Sequence, residues 1–506
     1  MTNEPRDHAM SSEATIPRRA AGAPAPMSYA QELLWMLDRA TPGLTAYNVP
    51  RAIRIRGPLD AVALRAAIDD VVVRHEVLRT TYASEGGHGV QVVQPHRPLA
   101  LPCIDVSALD AGSRDRDIER AVLEEARRPF DLGADVLLRA TLIRAGEEDH
   151  TLVLVSHHIA SDGWSRGVLF RELSEGYAAR VAGRAPELGS LPIQYADFAT
   201  WQRELLQGHA HDEHLAYWRA RLAPPLPMLE LPTDFPRPAA QAFDGARCVT
   251  ILPASLVERL RQVGMDHGAT LYMLLLAAYH TVLHRYSGQD DILTGSPIAG
   301  RTRPETEGLI GYFANILAMR TSFADDPTFG DVLERVAEHA IDAYEHEDVP
   351  FEKLVLELRS GGETPAHAPL FRCVLTMEDT IADELRLGSA QVLPYSLDFG
   401  QAKFDLTLLV AEVPDGLRLG LWYRTDLFSE SYAERFLGHL RAVLETGTSD
   451  PTVRVREIAL LTQAERRDLA LWNATNVDEG EEATLVQLFE RQVARVPARA
   501  AIFGSR

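Results

Sequence analysis

The stretch Ser156-His157-His158-Ile159-Ala160-Ser161-Asp162-Gly163-Trp164-Ser165 decides how the rest of the chain is read. It follows Leu152-Val153-Leu154-Val155, an apolar run of strand length. Leu169, Leu173 and Tyr177 come after it at helical spacing. Two adjacent histidines therefore sit where a strand gives way to a helix. Successive strand side chains point to opposite faces. If the strand persists through the pair, one imidazole looks into a cleft and its neighbour into the body of the protein. His158 is the candidate for chemistry and His157 for its support.

The chain has 506 residues, more than one ordinary core holds, so two or more lobes are expected. Hydrophobic residues make up 46% and charged residues 24%, a soluble globular balance. The net charge of −21 argues against a nucleic-acid partner, which needs clustered Lys and Arg. No apolar run reaches about 18 residues, so no membrane span is expected. Residues 1–27 lack the apolar segment of a secretory signal. Cys103, Cys248 and Cys373 are odd in number and have no Cys-x-x-Cys spacing. That gives neither a disulfide framework nor a zinc site, and they read as core thiols of a cytoplasmic protein.

Residues 1–25, rich in Pro and Ala, read as a disordered leader or docking segment. Residues 26–185 read as a first α/β lobe. In it Ser28 caps a helix bearing Leu33, Leu34 and Leu37, and Arg51 to Arg56 alternate as a strand. Asp60 caps a helix with Leu64, Ile68, Val71 and Val72, and Leu137 to Ile143 pair with Thr151 to Val155. Residues 186–245 are broken by proline and read as a connector with one helix, Tyr195 to Leu222. Its His209, His211 and His214 read as a solvated face rather than a metal tract. Residues 246–450 form a second α/β lobe, with strands expected at 247–252, 291–295, 370–377, 404–410 and 417–423. Helices are expected there at 255–263, 270–286, 327–345 and 429–444. Residues 451–506 are a separate tail ending in a strand-like Ala500 to Phe503.

Seven stretches in order carry a family resemblance. They are Ser28-Tyr-Ala-Gln-Glu-Leu-Leu-Trp35, Arg74-His-Glu-Val-Leu-Arg-Thr80, His157 to Ser165, and Tyr195-Ala-Asp-Phe-Ala-Thr-Trp201. Ile310-Gly-Tyr-Phe-Ala-Asn315, His346-Glu-Asp-Val-Pro-Phe-Glu352 and Pro369-Leu-Phe371 follow. Together they resemble a condensation domain of a non-ribosomal peptide synthetase over roughly residues 26–450. His157 to Gly163 matches its HHxxxDG signature, shared more distantly with chloramphenicol acetyltransferase. The tail resembles the linker and opening of an adenylation domain, without its glycine-rich phosphate loop. No carrier-protein serine motif is present. The chain departs from the family at Ala314-Asn315-Ile316, at His367-Ala368, at Ser360-Gly361-Gly362 and at Gly133 to Val136. The pattern around Ser161 to Ser165 and Leu231 to Pro236 looks most like the type joining two L-configured residues. A start so close to Met1 suggests an acyl donor or a chain handed over by a separate upstream protein.

The resemblance implies two chloramphenicol acetyltransferase-like α/β lobes in a V, with mixed sheets flanked by helices and one site at their junction. It implies attack of a carrier-bound aminoacyl amine on an upstream carrier-bound acyl or peptidyl thioester. Both substrates ride on phosphopantetheine arms, and no intrinsic cofactor is expected. The implied partners are the upstream donor and downstream acceptor carrier-protein domains and an adjoining adenylation domain, with no nucleic acid and no membrane.

Within that reading His158 accepts a proton or a hydrogen bond from the attacking amine. Base catalysis is typically worth about 10²–10⁴-fold. Positioning tethered reactants supplies about 7–11 kcal/mol and is expected to outweigh it. Gly163 lets a backbone N–H approach a developing oxyanion, or is a plain turn glycine. Asp162 is structural and needs a cationic partner, with Arg301 the first candidate and Arg79 the alternative. Ser165, Trp164 and Asn315 are the candidates for substrate contact; Trp164 also reads as packing and Asn315 as a buried turn amide. His158 and Asp162 stand i, i+4 but lack a third ligand, so no metal is expected. Cys248 has no adjacent base and is rejected as a nucleophile. The main competing reading is a non-catalytic docking module, a class that usually loses the His pair or its Asp-Gly. An epimerase relative is disfavoured by the tail and the Ser28 to Trp35 opening, and a free-standing acyltransferase by the tail.

Overall fold

Alternation along Asn48–Arg56 sets the first sheet. Ala52, Ile53 and Ile55 are buried there, with Arg56 at the exposed end. A computed structural model describes residues 15–20, 24–206, 212–238, 242–360, 370–378, 385–395, 398–475 and 483–499. In it the strand Asn48–Arg56 is β2, lying antiparallel to β7 (Asp149–His157) with Asn48 opposite His157 and Arg51 opposite Leu154. β6 (Leu138–Arg144) and β5 (Cys103–Asp105) extend the sheet on one side. On the other edge β12 (Gln391–Pro394) pairs with β2, so the second half of the chain lends a strand to the first sheet. A small sheet joins β1 (Ala25–Pro26), β4 (His88–Val93) and β3 (Thr80–Glu85).

Two helices cover the first sheet's core. Ala61–Arg74 is capped by Asp60, and Gly163–Val181 starts at Asp162. They approach closely because Gly176 sits against Ala67; a Cβ there would lie 3.2 Å from the Ala67 methyl.

The second lobe is a six-stranded mixed sheet in the order β10 (Asn315–Ser322), β9 (Asp291–Ile298), β11 (Cys373–Glu378), β13 (Leu406–Val413), β14 (Gly416–Arg424), β8 (Gly245–Pro253). β11 runs parallel to β9 and β13; the other neighbours are antiparallel. Helix Leu271–Ser287 is buried continuously from Met273 to Leu283. Thr270 caps it, and Gly288 ends it at φ 68°, a left-handed conformation that favours glycine. The architecture is the expected mixed α/β pair of lobes with helices flanking the sheets.

Some expectations are corrected. The connector carries two helices, Tyr195–Leu205 and Asp212–Arg221, not one. The hairpin β3–β4 and the strand β10 were not anticipated, because their residues mix polar and apolar types without clean alternation. Part of the leader is seated rather than disordered. Ile16 is buried, and Arg19 pairs with Glu76 at 3.0 Å and Asp197 at 3.4 Å. One isoleucine and two arginines gave composition too little to register. Cys103 is exposed on an edge strand rather than in the core; Cys373 is buried. The leader residues 1–14, His209 and His211, the loop 361–369 and the strand-like 500–503 lie outside the described residues.

Met1–Ala459 forms one compact unit and Leu460–Arg506 a second. The second holds helices Gln463–Trp472 and Leu485–Arg495, capped by Thr462 and Thr484, with no buried residue on either. Among the described residues no helix is long and apolar enough to cross a membrane.

Candidate active site

β7 ends at His157, whose side chain is buried. Its Nδ1 accepts the Ile159 N–H at 3.1 Å, which folds the chain into a single 3-10 turn, His158–Ala160. The Phe130 ring meets the imidazole edge-on at 5.8 Å. Burial first, then the charges of Lys403 and Arg139, pushes the His157 pKa down to about 3. His157 is thus a neutral structural cap that turns its neighbour outward.

His158 is half-buried and lines a cavity of about 970 Å³. Its backbone N–H donates to the Tyr47 carbonyl at 2.8 Å, and the Tyr312 ring stands edge-to-face against it at 4.7 Å. Nδ1 has no hydrogen-bond partner of good geometry among the described residues. The pKa is driven well below 6.5, by burial first and then by Lys403; the carbonyls of His158 and Ser161 oppose this weakly. The imidazole is therefore neutral at physiological pH. It suits accepting a hydrogen bond from an amine more than holding a proton.

Asp162 faces the protein. Its Oδ1 accepts the Ser165 N–H at 2.8 Å and the Ser165 hydroxyl at 2.7 Å, capping helix Gly163–Val181. Its Oδ2 accepts the Phe313 N–H at 3.0 Å. Arg301 reaches Asp162 at 3.2 Å and lies 4.2 Å from the Phe313 ring centroid. Both charged side chains are within 2% of full burial. Arg79 plays no part in this pair. It donates to the Gln94 carbonyl at 2.7 Å and stands 3.8 Å from Glu76.

The other motif residues converge on one loop, 309–315. His75 Nδ1 accepts the Ile310 N–H at 3.2 Å while its Nε2 meets Glu172 at 2.8 Å. The Ser165 hydroxyl accepts from the Gly311 N–H at 3.0 Å, and its oxygen stands 2.9 Å from the Gly311 carbonyl. The Tyr195 hydroxyl donates to the Tyr312 carbonyl at 2.6 Å and also meets Ser28 Oγ at 2.9 Å. Gly311 is required here: a Cβ would fall 2.2 Å from the Tyr195 ring. The motifs chiefly clamp the loop that presents Tyr312 to His158.

Two substrate-contact candidates are corrected on this ground. Ser165 has its hydroxyl fully engaged by Asp162, Gly311 and Arg301. Asn315 donates both amide protons to the Glu347 and Val349 carbonyls and accepts from the Ile316 and Phe351 N–H groups. Every group of that amide is satisfied, so it is a buried turn amide. Trp164 does line the cavity. It is 37% exposed, and its indole N–H is tied to the Glu307 carbonyl at 2.9 Å.

Gly163 opens the helix and lines the same cavity. Its φ is not in the left-handed region, and a Cβ added there would meet no atom within 4 Å. The backbone does not need glycine; the cavity gains its space. Gly163→Ala is therefore expected to unfold within about 0.5 kcal/mol of wild type. It should lower condensation by about tenfold or more, through displaced substrate. Unchanged turnover with intact folding would make Gly163 a plain turn residue.

Glu352 was not assigned a role from sequence. Its carboxyl is buried beside Tyr312 and Asn315, and burial lifts its pKa to about 7. A carboxyl with a raised folded pKa holds its proton longer in the folded state. Its contribution is most favourable below pH 4.5 and is lost as pH rises to about 7. The loss is about 3 kcal/mol in total. Glu352→Gln should remove this slope, so the stability gap between variant and wild type in urea should widen from pH 5 to pH 8. Parallel pH profiles would contradict it. Arg51 and Lys403, also unassigned from sequence, stand near the His pair; Lys403 Nζ lies 4.9 Å from the Tyr47 ring.

Comparison with known proteins places this geometry. The Condensation domain family model matches residues 23–470. The chain is 41% identical over 483 residues to part of a linear gramicidin synthase of Brevibacillus parabrevis, covering 95% of this chain and 6% of that protein. It is 41% identical over 478 residues to chondramide synthase cmdD of Chondromyces crocatus, covering 94% and 12%. The chain thus spans a small fraction of the curated relatives it matches. The X-domain from teicoplanin biosynthesis superposes with a TM-score of 0.81 at 30% identity, over 88% of this chain and all of that one. The first condensation domain of the calcium-dependent antibiotic synthetase gives 0.71 at 22%, over 87% of this chain and all of that one, a likeness of fold alone. Residues 23–470 belong to the condensation domains, the amide-bond-forming acyltransferase domains of non-ribosomal peptide synthetases.

Proposed function

We propose that the chain joins an aminoacyl amine on a downstream carrier protein to an acyl or peptidyl thioester on an upstream carrier protein. Both arrive on phosphopantetheine arms. The amine nitrogen attacks the thioester carbon, the C–N bond forms, the C–S bond breaks, and the arm leaves as a thiol carrying the proton. His158 accepts the hydrogen bond that aims the amine. His157 holds it out, Gly163 leaves room beside it, and Asp162 with Arg301 fixes the helix start. Trp164 lines the substrate path. In this reading residues 26–185 and 246–450 are chloramphenicol acetyltransferase-like lobes set in a V, joined through 186–245. Residues 451–506 lead into an adenylation domain.

The observation that carries the reading is the half-buried His158 lining a 970 Å³ cavity, with Gly163 beside it. The test is amide formation between two loaded carriers, read by mass spectrometry. Product from wild type supports the proposal. Carriers that bind without turnover, over several donors, favour a docking module instead. That second reading is supported by the likeness to the teicoplanin X-domain, also solved in complex with OxyB.

A further inference from the structure

The cavity beside His158 is lined by four arginines, Arg51, Arg166, Arg171 and Arg386, and by the acids Asp162, Glu175 and Glu378. On β2, Arg51 shares strand parity with Ile53 and Ile55, both buried, so a guanidinium stands on the apolar register of the strand. It lines the cavity together with His158. Its hydrogen bond goes to the carbonyl of its own neighbour, Pro50, at 3.1 Å. Among the described residues no carboxylate stands within 4.0 Å of it.

Arg166, on the first turn of helix Gly163–Val181, lines the same space. Glu378 at the end of β11 is the acid nearest Arg166, and it is shared: Arg166 lies 3.9 Å and Arg418 3.5 Å from it. Lys403 adds a further cation on the side of the His pair. Mutual repulsion is registered along the row. Burial and then Arg166 lower the Arg51 pKa, with Glu378 opposing, while burial and then Arg51 lower Lys403 to about 8. A guanidinium held on an apolar register, with no carboxylate in reach, calls for an anion.

We propose that this wall selects an aminoacyl group bearing a carboxylate, whose acidic side chain is held by Arg51 with Arg166 flanking while its reacting end lies at His158. The inference rests on the condensation reading above. The arm's own phosphate is not the anion meant, because it lies at the opposite end of the arm from the thioester, whereas Arg51 shares the cavity with His158. Arg51 acts on specificity and not on the bond being made. Guanidinium suits the task because its planar fork matches a carboxylate with two parallel hydrogen bonds.

The test is calorimetric binding of stable amide analogues of aspartyl- and asparaginyl-pantetheine to the whole chain. The aspartyl analogue is expected to bind about tenfold tighter or more. The gap should close in Arg51→Gln and persist in part in Arg51→Lys. An N-acetylated aspartyl analogue tells the two sources apart. Tighter binding of the free-amine form puts the acid on the acceptor, and tighter binding of the acetylated form puts it on the donor. Equal binding of aspartyl and asparaginyl analogues to wild type, no binding of either, or a gap unchanged in Arg51→Gln overturns the proposal. If Arg51→Gln does not fold, wild type and Arg51→Lys still decide it. Failure of every loaded carrier pair to condense would count against the condensation reading, while the binding result would judge this one separately.

Discussion

Replacing His158 with alanine will lower amide formation between two loaded carriers by about 10²- to 10⁴-fold, with carrier binding unchanged. The size follows from what the imidazole does and does not supply. Its pKa lies well below 6.5 because burial and Lys403 disfavour the cation. It is a poor resting base for an ammonium. An α-amine has an ordinary pKa of about 7.7–8.0, so a fraction is already neutral at pH 7. Once the amine attacks, its nitrogen turns strongly acidic, and even a weak imidazole can take that proton. The alanine variant keeps the tethered geometry, worth about 7–11 kcal/mol, so it should stay above the uncatalysed rate. The pH profile gives a second check. Wild-type turnover should rise with amine deprotonation up to about pH 8, with no inflection near 6.5. An inflection there that vanishes in His158→Ala would mean the imidazole titrates normally. Equal rates for the two proteins would remove His158 from the reacting centre.

Much of the frame was legible because it rests on local rules. Leu152 to Val155 read as a buried strand, but that strand ends at His157, and a 3-10 turn rather than strand alternation carries His158 to the cavity. Ser28 and Asp60 were legible as caps from residue type and position, each just ahead of an apolar helical pattern. The partnership of Asp162 with Arg301 followed from charge balance, though choosing it over Arg79 needed the fold: 139 residues separate the pair. What stayed hidden is long-range. Ser165 and Asn315 carry groups that suit a ligand, and sequence cannot say that backbone from Gly311, Glu347 and Val349 uses them up. Lys403 had no signal at all, since its neighbourhood is made by a tertiary contact with Tyr47. Arg51 did have one. A charge on the same parity as Ile53 and Ile55 marks a cation on an apolar register, and alternation alone was enough to find it. The edge strand β12 was illegible because nothing local says that Gln391–Pro394 will leave its own lobe for β2.

Asp162→Ala is expected to cost about 3–5 kcal/mol in urea unfolding, because it strands a buried guanidinium. The carboxylate is the meeting point of two parts of the chain. From one side it takes the Ser165 N–H and hydroxyl at the head of helix Gly163–Val181, and from the other the Phe313 N–H and Arg301. Losing the cap alone costs about 1 kcal/mol. The larger share is the desolvated Arg301, whose side chain is 2% exposed and whose remaining bonds go to the Thr306 and Leu309 carbonyls and Ser165. Arg301→Met in the same background removes that orphan charge. The double variant should therefore be more stable than the sum of the two single losses implies, by about 1–3 kcal/mol. Additive losses, or a single loss under about 1 kcal/mol, would mean the pair is not coupled. Activity should fall in Asp162→Ala as well, but through geometry. Phe313 follows Tyr312, whose ring faces His158 at 4.7 Å, so freeing the Phe313 N–H loosens the wall against which the imidazole stands. Arg301→Met with Asp162→Ala relieves the buried charge without restoring that bond. The double variant should then recover melting temperature more than turnover, which separates the structural role of Asp162 from the chemical role of His158.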